Sequence, residues 1–234
     1  PVVAVSAAPT AWDGDLRDLP QSDGTNLPRL EMPSPGMTKD ASHALPEVVD
    51  PVVQAEQGPG QMPAPLIGFD GLNLADGGGW HPPDTNGDVG PNYYMQSVNI
   101  ALGIYNKATG AELVNVPFNT FFAPAPSPCN NQNRGDPVVL YDEIGDRWLV
   151  TDFSLPATGP VYECIAVSQS GDPISGGWYY YAFIADDDGA PWNDYPKLSV
   201  WTDAYYMTAN MFDPWSGAYV WALNRADMMA GLPV

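Results

Sequence analysis

Asp84-Thr85-Asn86-Gly87-Asp88 sets oxygen-bearing side chains at alternate positions. Three such oxygens so close together can converge on one Ca²⁺, as they do at the start of an EF-hand loop. The rest of that motif is absent. Val89 stands where the loop needs its sharp-turning Gly, and Met95 where it needs a bidentate Glu. Two readings stand: a loop-type Ca²⁺ site on Asp84, Asn86 and Asp88, or a turn whose Asp and Asn side chains bond the local backbone. Asp186-Asp187-Asp188 is a second acidic run. Adjacent carboxylates repel, so a cation there would relieve strain; the alternative is a solvated loop tip.

Polar residues also interrupt aromatic strands: Gln96 and Asn99, then Asp152, then Asn210. A polar group inside such a strand is costly unless it is paired. These side chains are expected either to line a central channel or to tie neighbouring units together. Asp136 and Asp194 open later strands in matched settings, Asp136-Pro137 and Asp194-Tyr195-Pro196. Two carboxylates at one channel end could do acid–base work on a glycan; matched structural turns explain them equally. Trp80, Trp178, Trp192 and Trp215 read as exposed rings able to stack on sugars, or as packing residues.

Other chemistries lack their parts. His43 and His81 are the only histidines, and no Gly-x-Ser-x-Gly elbow occurs. No Cys/His cluster supports zinc. Cys129 lies in a Pro/Asn-rich loop and Cys164 within a strand, with no Cys-x-x-Cys. A disulfide across the second repeat is the favoured reading, and two buried thiols the alternative.

The elements that must position these residues follow a repeated plan of turn, apolar-aromatic strand, gap, second strand. Its strands run over Tyr93–Asn99 and Leu102–Asn106, Arg147–Phe153 and Tyr162–Ser168, Tyr205–Met211 and Ala218–Asn224. Tyr94, Trp148 and Tyr206 coincide, at offsets of 54 and 58 residues. That spacing suits four-stranded β-propeller blades of about 40–50 residues plus loops. The expected class is all-β and propeller-like, with about three blades over 84–120, 134–183 and 194–231. A short helical turn is expected at Arg225–Ala230, closed by Gly231. Phe118–Asn133 reads as a long Pro-bearing loop of the kind that often carries function. Three blades do not close a ring, so the missing portion is expected further along the gene, on a cleaved chain or on a partner subunit.

Residues 1–64 differ. They hold one aromatic residue, Trp12, and ten prolines, while 65–234 hold the other 26 aromatics. Such a segment cannot build its own core and reads as an acidic, Pro-rich arm, extended or disordered, or strapped to another subunit. The chain opens on Pro1 without an initiator Met, as a processed or partial chain would. The net charge of −20 argues against nucleic acid and anionic membrane as partners. No run of about 18 apolar residues is present to cross a membrane as a helix.

Pro82-Pro83-Asp84-Thr85-Asn86-Gly87-Asp88-Val89-Gly90-Pro91-Asn92 resembles the opening string of a propeller-like domain in a family of large secreted bacterial proteins. The likeness extends upstream to Phe69-Asp70-Gly71-Leu72-Asn73. Downstream it takes in Gly135–Asp142, Asp146-Arg147-Trp148, Cys164–Ser168 and Asp194–Lys197, so that it covers residues 65–234. The resemblance implies a longer domain, export, paired cysteines and neighbouring anchoring or adhesion modules, and brings no catalytic residues. The expected function is therefore a secreted or cell-surface interaction module, with Ca²⁺ as its one candidate cofactor. The alternatives are a secreted polysaccharide-active hydrolase and a filament subunit that self-associates through residues 1–64.

Overall fold

The computed structural model describes residues 7–22, 30–31, 63–130, 133–156, 159–186, 192–212 and 217–234. Two short pieces precede the main sheets: β1 (Thr10–Trp12), and β2 (Leu30–Glu31), which pairs in parallel with β3 (Trp80–His81). Three antiparallel sheets then follow in chain order, each a meander in which consecutive strands are neighbours. The first is β4 (Asn86–Val89), β5 (Tyr93–Val98), β6 (Ala101–Asn106) and β7 (Glu112–Pro117), followed by helix α1 (Phe118–Phe121). The second is β8 (Val139–Asp142), β9 (Arg147–Ser154), β10 (Val161–Ser168) and β11 (Trp178–Asp186), and β1 adds to the free edge of β11. The third is β12 (Trp192–Val200), β13 (Ala204–Phe212) and β14 (Gly217–Asn224), followed by helix α2 (Arg225–Met229).

Strand alternation gives the second sheet two buried faces. Trp148 and Val150 of β9, Cys164 and Ala166 of β10, and Trp178 and Tyr180 of β11 point one way. There they meet Met95, Ile104 and Val114 of the first sheet. Leu149, Ile165, Val167, Tyr181 and Phe183 point the other way, toward Tyr205, Leu223 and Met228. Each large side chain buried in this way contributes roughly 1.5–3 kcal/mol. The middle sheet is therefore the partner both others need. Gly90 belongs to the first interface: a Cβ there would come within 2.7 Å of the Trp148 ring.

The stretch after β7 is not a free loop. Phe118, Phe121 and Phe122 are fully buried, with Phe121 edge-on to Trp178 at 5.0 Å. Cys129 then bonds Cys164 of β10, closing a separation of 35 residues. In the loop-entropy picture that closure contributes about 3–4 kcal/mol. Trp178, for which an exposed ring and a packing residue were the two readings, is a packing residue: it is fully buried, and its indole N–H donates to Pro173 O at 3.0 Å.

Residues 7–22, within the segment read as an arm, run along the second sheet and then reach β7 of the first, where the Ser22 N–H donates to Asn115 O at 2.7 Å. Thr10 and Trp12 stand opposite Tyr180 and Trp178, and Leu16 is fully buried in the first core. Ala7 and Val234 exchange backbone hydrogen bonds at 2.7 and 3.1 Å. No helix among the described residues is long and apolar enough to cross a membrane.

Candidate functional site

The first strands of the three sheets, β4, β8 and β12, lie next to one another: β4 runs against β8, and β8 against β12. The alternate oxygens of Asp84, Asn86 and Asp88 act at the first of these junctions. In a strand, residues two apart share a side. Asn86 Oδ1 accepts from the Val139 N–H at 2.6 Å, and Asp88 Oδ2 from the Tyr141 N–H at 2.8 Å. The side chains of β4 thus take the place of a neighbouring strand's carbonyls for β8. Asp88 Oδ1 accepts from the Val89 N–H.

One turn of chain earlier, polar side chains link all three sheets. Asn99 is almost fully buried. Its Nδ2 donates to Asp84 Oδ2 at 2.6 Å and to Pro82 O at 2.8 Å, and its Oδ1 accepts from the Asp136 N–H at 2.8 Å. Asp136 Oδ2 in turn accepts from the Tyr195 N–H at 2.9 Å, next to Asp194. Asp84, Asp136 and Tyr195 all adopt left-handed backbone, with φ of 41, 47 and 55°. Short polar Asp tolerates that region; for Tyr195 it costs roughly 1–2 kcal/mol. Asp84 and Asp136 precede β4 and β8, Asp194 lies near the start of β12, and their carboxylates interact with one another.

Electrostatics follow from that crowding. Burial pushes Asp136 up to about 6, against the Tyr195 amide and with the charges of Asp194 and Asp84 adding to it. Burial raises Asp194 as well, reinforced by the Asp84 charge. The Lys197 ammonium lies 3.2 Å over the Tyr195 ring and donates to Pro196 O. Behind the cluster, Asp152 is 1% exposed and is pushed by burial up to about 7. It remains hydrogen-bonded, accepting from the amides of Gly135 at 2.8 Å, Phe153 at 2.9 Å and Arg134 at 3.3 Å. Such a cluster can share protons, and it offers a negative face to a cation or to hydroxyl donors.

The remaining candidates separate. Gln96 points to the face of the first sheet turned away from the second, where its Oε1 accepts from the Leu72 N–H beside Phe69 and Tyr94. Asn210 stands opposite Asp194 on β13. Among the described residues, no group of three or more His, Cys, Asp or Glu side chains is arranged to hold a metal ion. The side chains of Asp186, Asp187 and Asp188 lie outside the described residues, as do His43 and Trp215. One polar pair escaped the reading of the chain: Glu163 and Asn193, both fully buried, with Asn193 Nδ2 donating to Glu163 Oε2 at 2.7 Å. The signal was a lone Glu inside Val161-Tyr162-Glu163-Cys164-Ile165-Ala166-Val167. No family model matches the chain, and neither the curated proteins nor the solved structures compared with it include a match.

Proposed function

We propose that the three sheets are successive blades of a β-propeller, completed by further blades. In this reading the chain serves as an exported interaction module that receives cationic groups of a partner at Asp84, Asp136 and Asp194. The observation that carries it is the convergence of these carboxylates, Asp84 and Asp136 from just before β4 and β8 and Asp194 from the start of β12, three adjacent strands. A propeller sets its blades around a central channel, and crowded carboxylates with raised pKa gain most from a positive charge. Export is supported by the Cys129–Cys164 disulfide. The test is calorimetric titration with a lysine-rich peptide and, separately, with Ca²⁺, using wild type and Asp136→Asn. Peptide binding about tenfold weaker in the variant is expected, the worth of one charge-assisted contact. Equal binding by both proteins would assign the effect to general acidity and sink the reading. Heat with Ca²⁺ alone would move the site to a metal.

A polysaccharide-active hydrolase is the second reading, and one observation favours it. Asp136, with its raised pKa, stands beside further carboxylates, and glycoside hydrolysis uses such an acid–base pair. Release of reducing ends from polysaccharide by wild type, and not by Asp136→Asn, would establish it.

A further inference from the structure

Glu163 and Asn193 occupy the interface between the second and third sheets. Glu163 lies on β10 and Asn193 on β12, and neither exposes any surface. One arm of the pair is closed, from Asn193 Nδ2 to Glu163 Oε2 at 2.7 Å. The other oxygen of each side chain, Glu163 Oε1 and Asn193 Oδ1, is buried without a hydrogen-bond partner among the described residues. Two orphaned acceptors in one buried pair would be a serious loss of stability, because each keeps its desolvation penalty. Both belong to groups that face each other across the closed arm. A single proton on Oε1 turns one acceptor into a donor and gives the other its partner.

We infer that Glu163 folds as the neutral acid and that its Oε1 hydroxyl and the Asn193 amide form a two-armed clasp joining the second sheet to the first strand of the third, a joint that base opens. The surroundings agree. Glu163 is wholly buried, with the Asp152 carboxylate on β9 and the Asp136 carboxylate before β8 as its acidic neighbours. The Thr151 hydroxyl on β9 and the Asn193 amide on β12 are its polar neighbours, and β11 presents Phe183 opposite it. Burial first, then these two like charges, hold its pKa well above the ordinary carboxylate value. The Thr151 and Asn193 hydrogen bonds favour the charged form, but burial and the two like charges outweigh them.

A group with a raised folded-state pKa contributes stability that is complete below its unfolded pKa. That contribution is lost as pH rises toward the folded value. Glu163→Gln mimics the neutral acid, since its amide N–H can donate to Asn193 Oδ1 and its carbonyl can accept from Asn193 Nδ2. Thermal denaturation from pH 5 to pH 9 is expected to show wild type losing more Tm than Glu163→Gln over the upper half of the range. The two curves should meet at pH 5. Parallel curves would overturn the clasp. Infrared spectroscopy supplies an independent arm through Asp152→Asn, which removes the other deeply buried acid. At pH 7 that variant should keep a protonated-carboxyl carbonyl band. Absence of the band would overturn the inference even if Glu163→Gln failed to fold.

Discussion

Arg225 Nε donates to Asp142 Oδ2 at 2.6 Å and its Nη2 to Asp142 Oδ1 at 3.2 Å, across the boundary between the second and third sheets. The two side chains are 8% and 0% exposed. Asp142 closes β8 and Arg225 opens α2, so this fork ties the end of β8 to the helix that follows the third sheet. Tyr205 O–H and the amides of Ile144 and Gly145 fill the remaining acceptor sites.

Removing Arg225 should therefore do more than delete one contact. Arg225→Met leaves a carboxylate buried without its cation, which costs about 3–5 kcal/mol. Arg225→Lys keeps the charge but loses the fork and should fall between. Burial opposes ionisation of Asp142, yet the Arg225 guanidinium, the Gly145 amide and the Tyr205 hydroxyl outweigh it and hold the pKa below the usual range. That stabilisation is present above the unfolded carboxylate pKa and disappears as pH falls through the folded one. Urea denaturation between pH 3 and 7 should show a steep acid loss in wild type and a shallower one in Arg225→Met. Equal slopes would show that the pair does not govern acid stability.

Leu16 tests what the N-terminal segment does. It is fully buried among first-core residues, and its N–H donates to Ile174 O at 2.9 Å. Leu16→Ala should cost about 3 kcal/mol, the usual range for a buried Leu truncation. Because β1 pairs with β11 of its own chain, light scattering should report the same mass for variant and wild type. A change of mass without a fall in Tm would instead point to the donor-arm role.

How much of this was legible depends on which force shaped each element. β5, β9, β10 and β13 could be read closely, because β-branched and aromatic residues fit a pleated, half-buried surface. β4 was harder: Asn86-Gly87-Asp88 resembles a turn, and it is a strand because β5 pairs along it and its side chains serve β8. That partner lies 53 residues away, beyond the reach of any local pattern. For Trp178 the packing alternative holds, and the contact that buries it, Phe121 of the preceding sheet's helix, is 57 residues away in sequence and leaves no local pattern. The convergence of Asp136 and Asp194 was visible as matched turns; that Asp84 joins them needed the sheets to be assembled.

The β4–β8 junction makes its own prediction. Asn86→Ala and Asp88→Ala each strip the acceptor from a β8 amide, and the residues carrying those amides, Val139 and Tyr141, are 3% and 8% exposed. Each should destabilise by roughly 1–3 kcal/mol, the desolvation penalty of an unpaired donor. Asp88→Asn keeps an oxygen in place and should recover most of the loss. Chemical denaturation measures this directly. If the structural role is the whole role, adding Ca²⁺ will shift none of the midpoints, whereas a Ca²⁺-dependent midpoint in wild type that Asp88→Ala abolishes would establish the loop-type cation site.

Asp136 sets stability against binding. Its pKa is pushed up to about 6, chiefly by burial, with Asp194 and Asp84 adding to the shift. A raised carboxylate contributes fully below its unfolded pKa, and that contribution fades as pH climbs through about 6. Asp136→Asn cannot ionise, while its Oδ1 can still accept the Tyr195 N–H. The variant should therefore match wild type near pH 4 and exceed it at pH 8, by on the order of 1 kcal/mol after allowance for solvent screening of a half-buried group. The same substitution should weaken the cationic ligand, so the two readouts move in opposite directions. A variant less stable than wild type at pH 8 would show that Asp136 is a structural hydrogen-bond acceptor first. The crowding of the three carboxylates would then be no strain for a ligand to relieve.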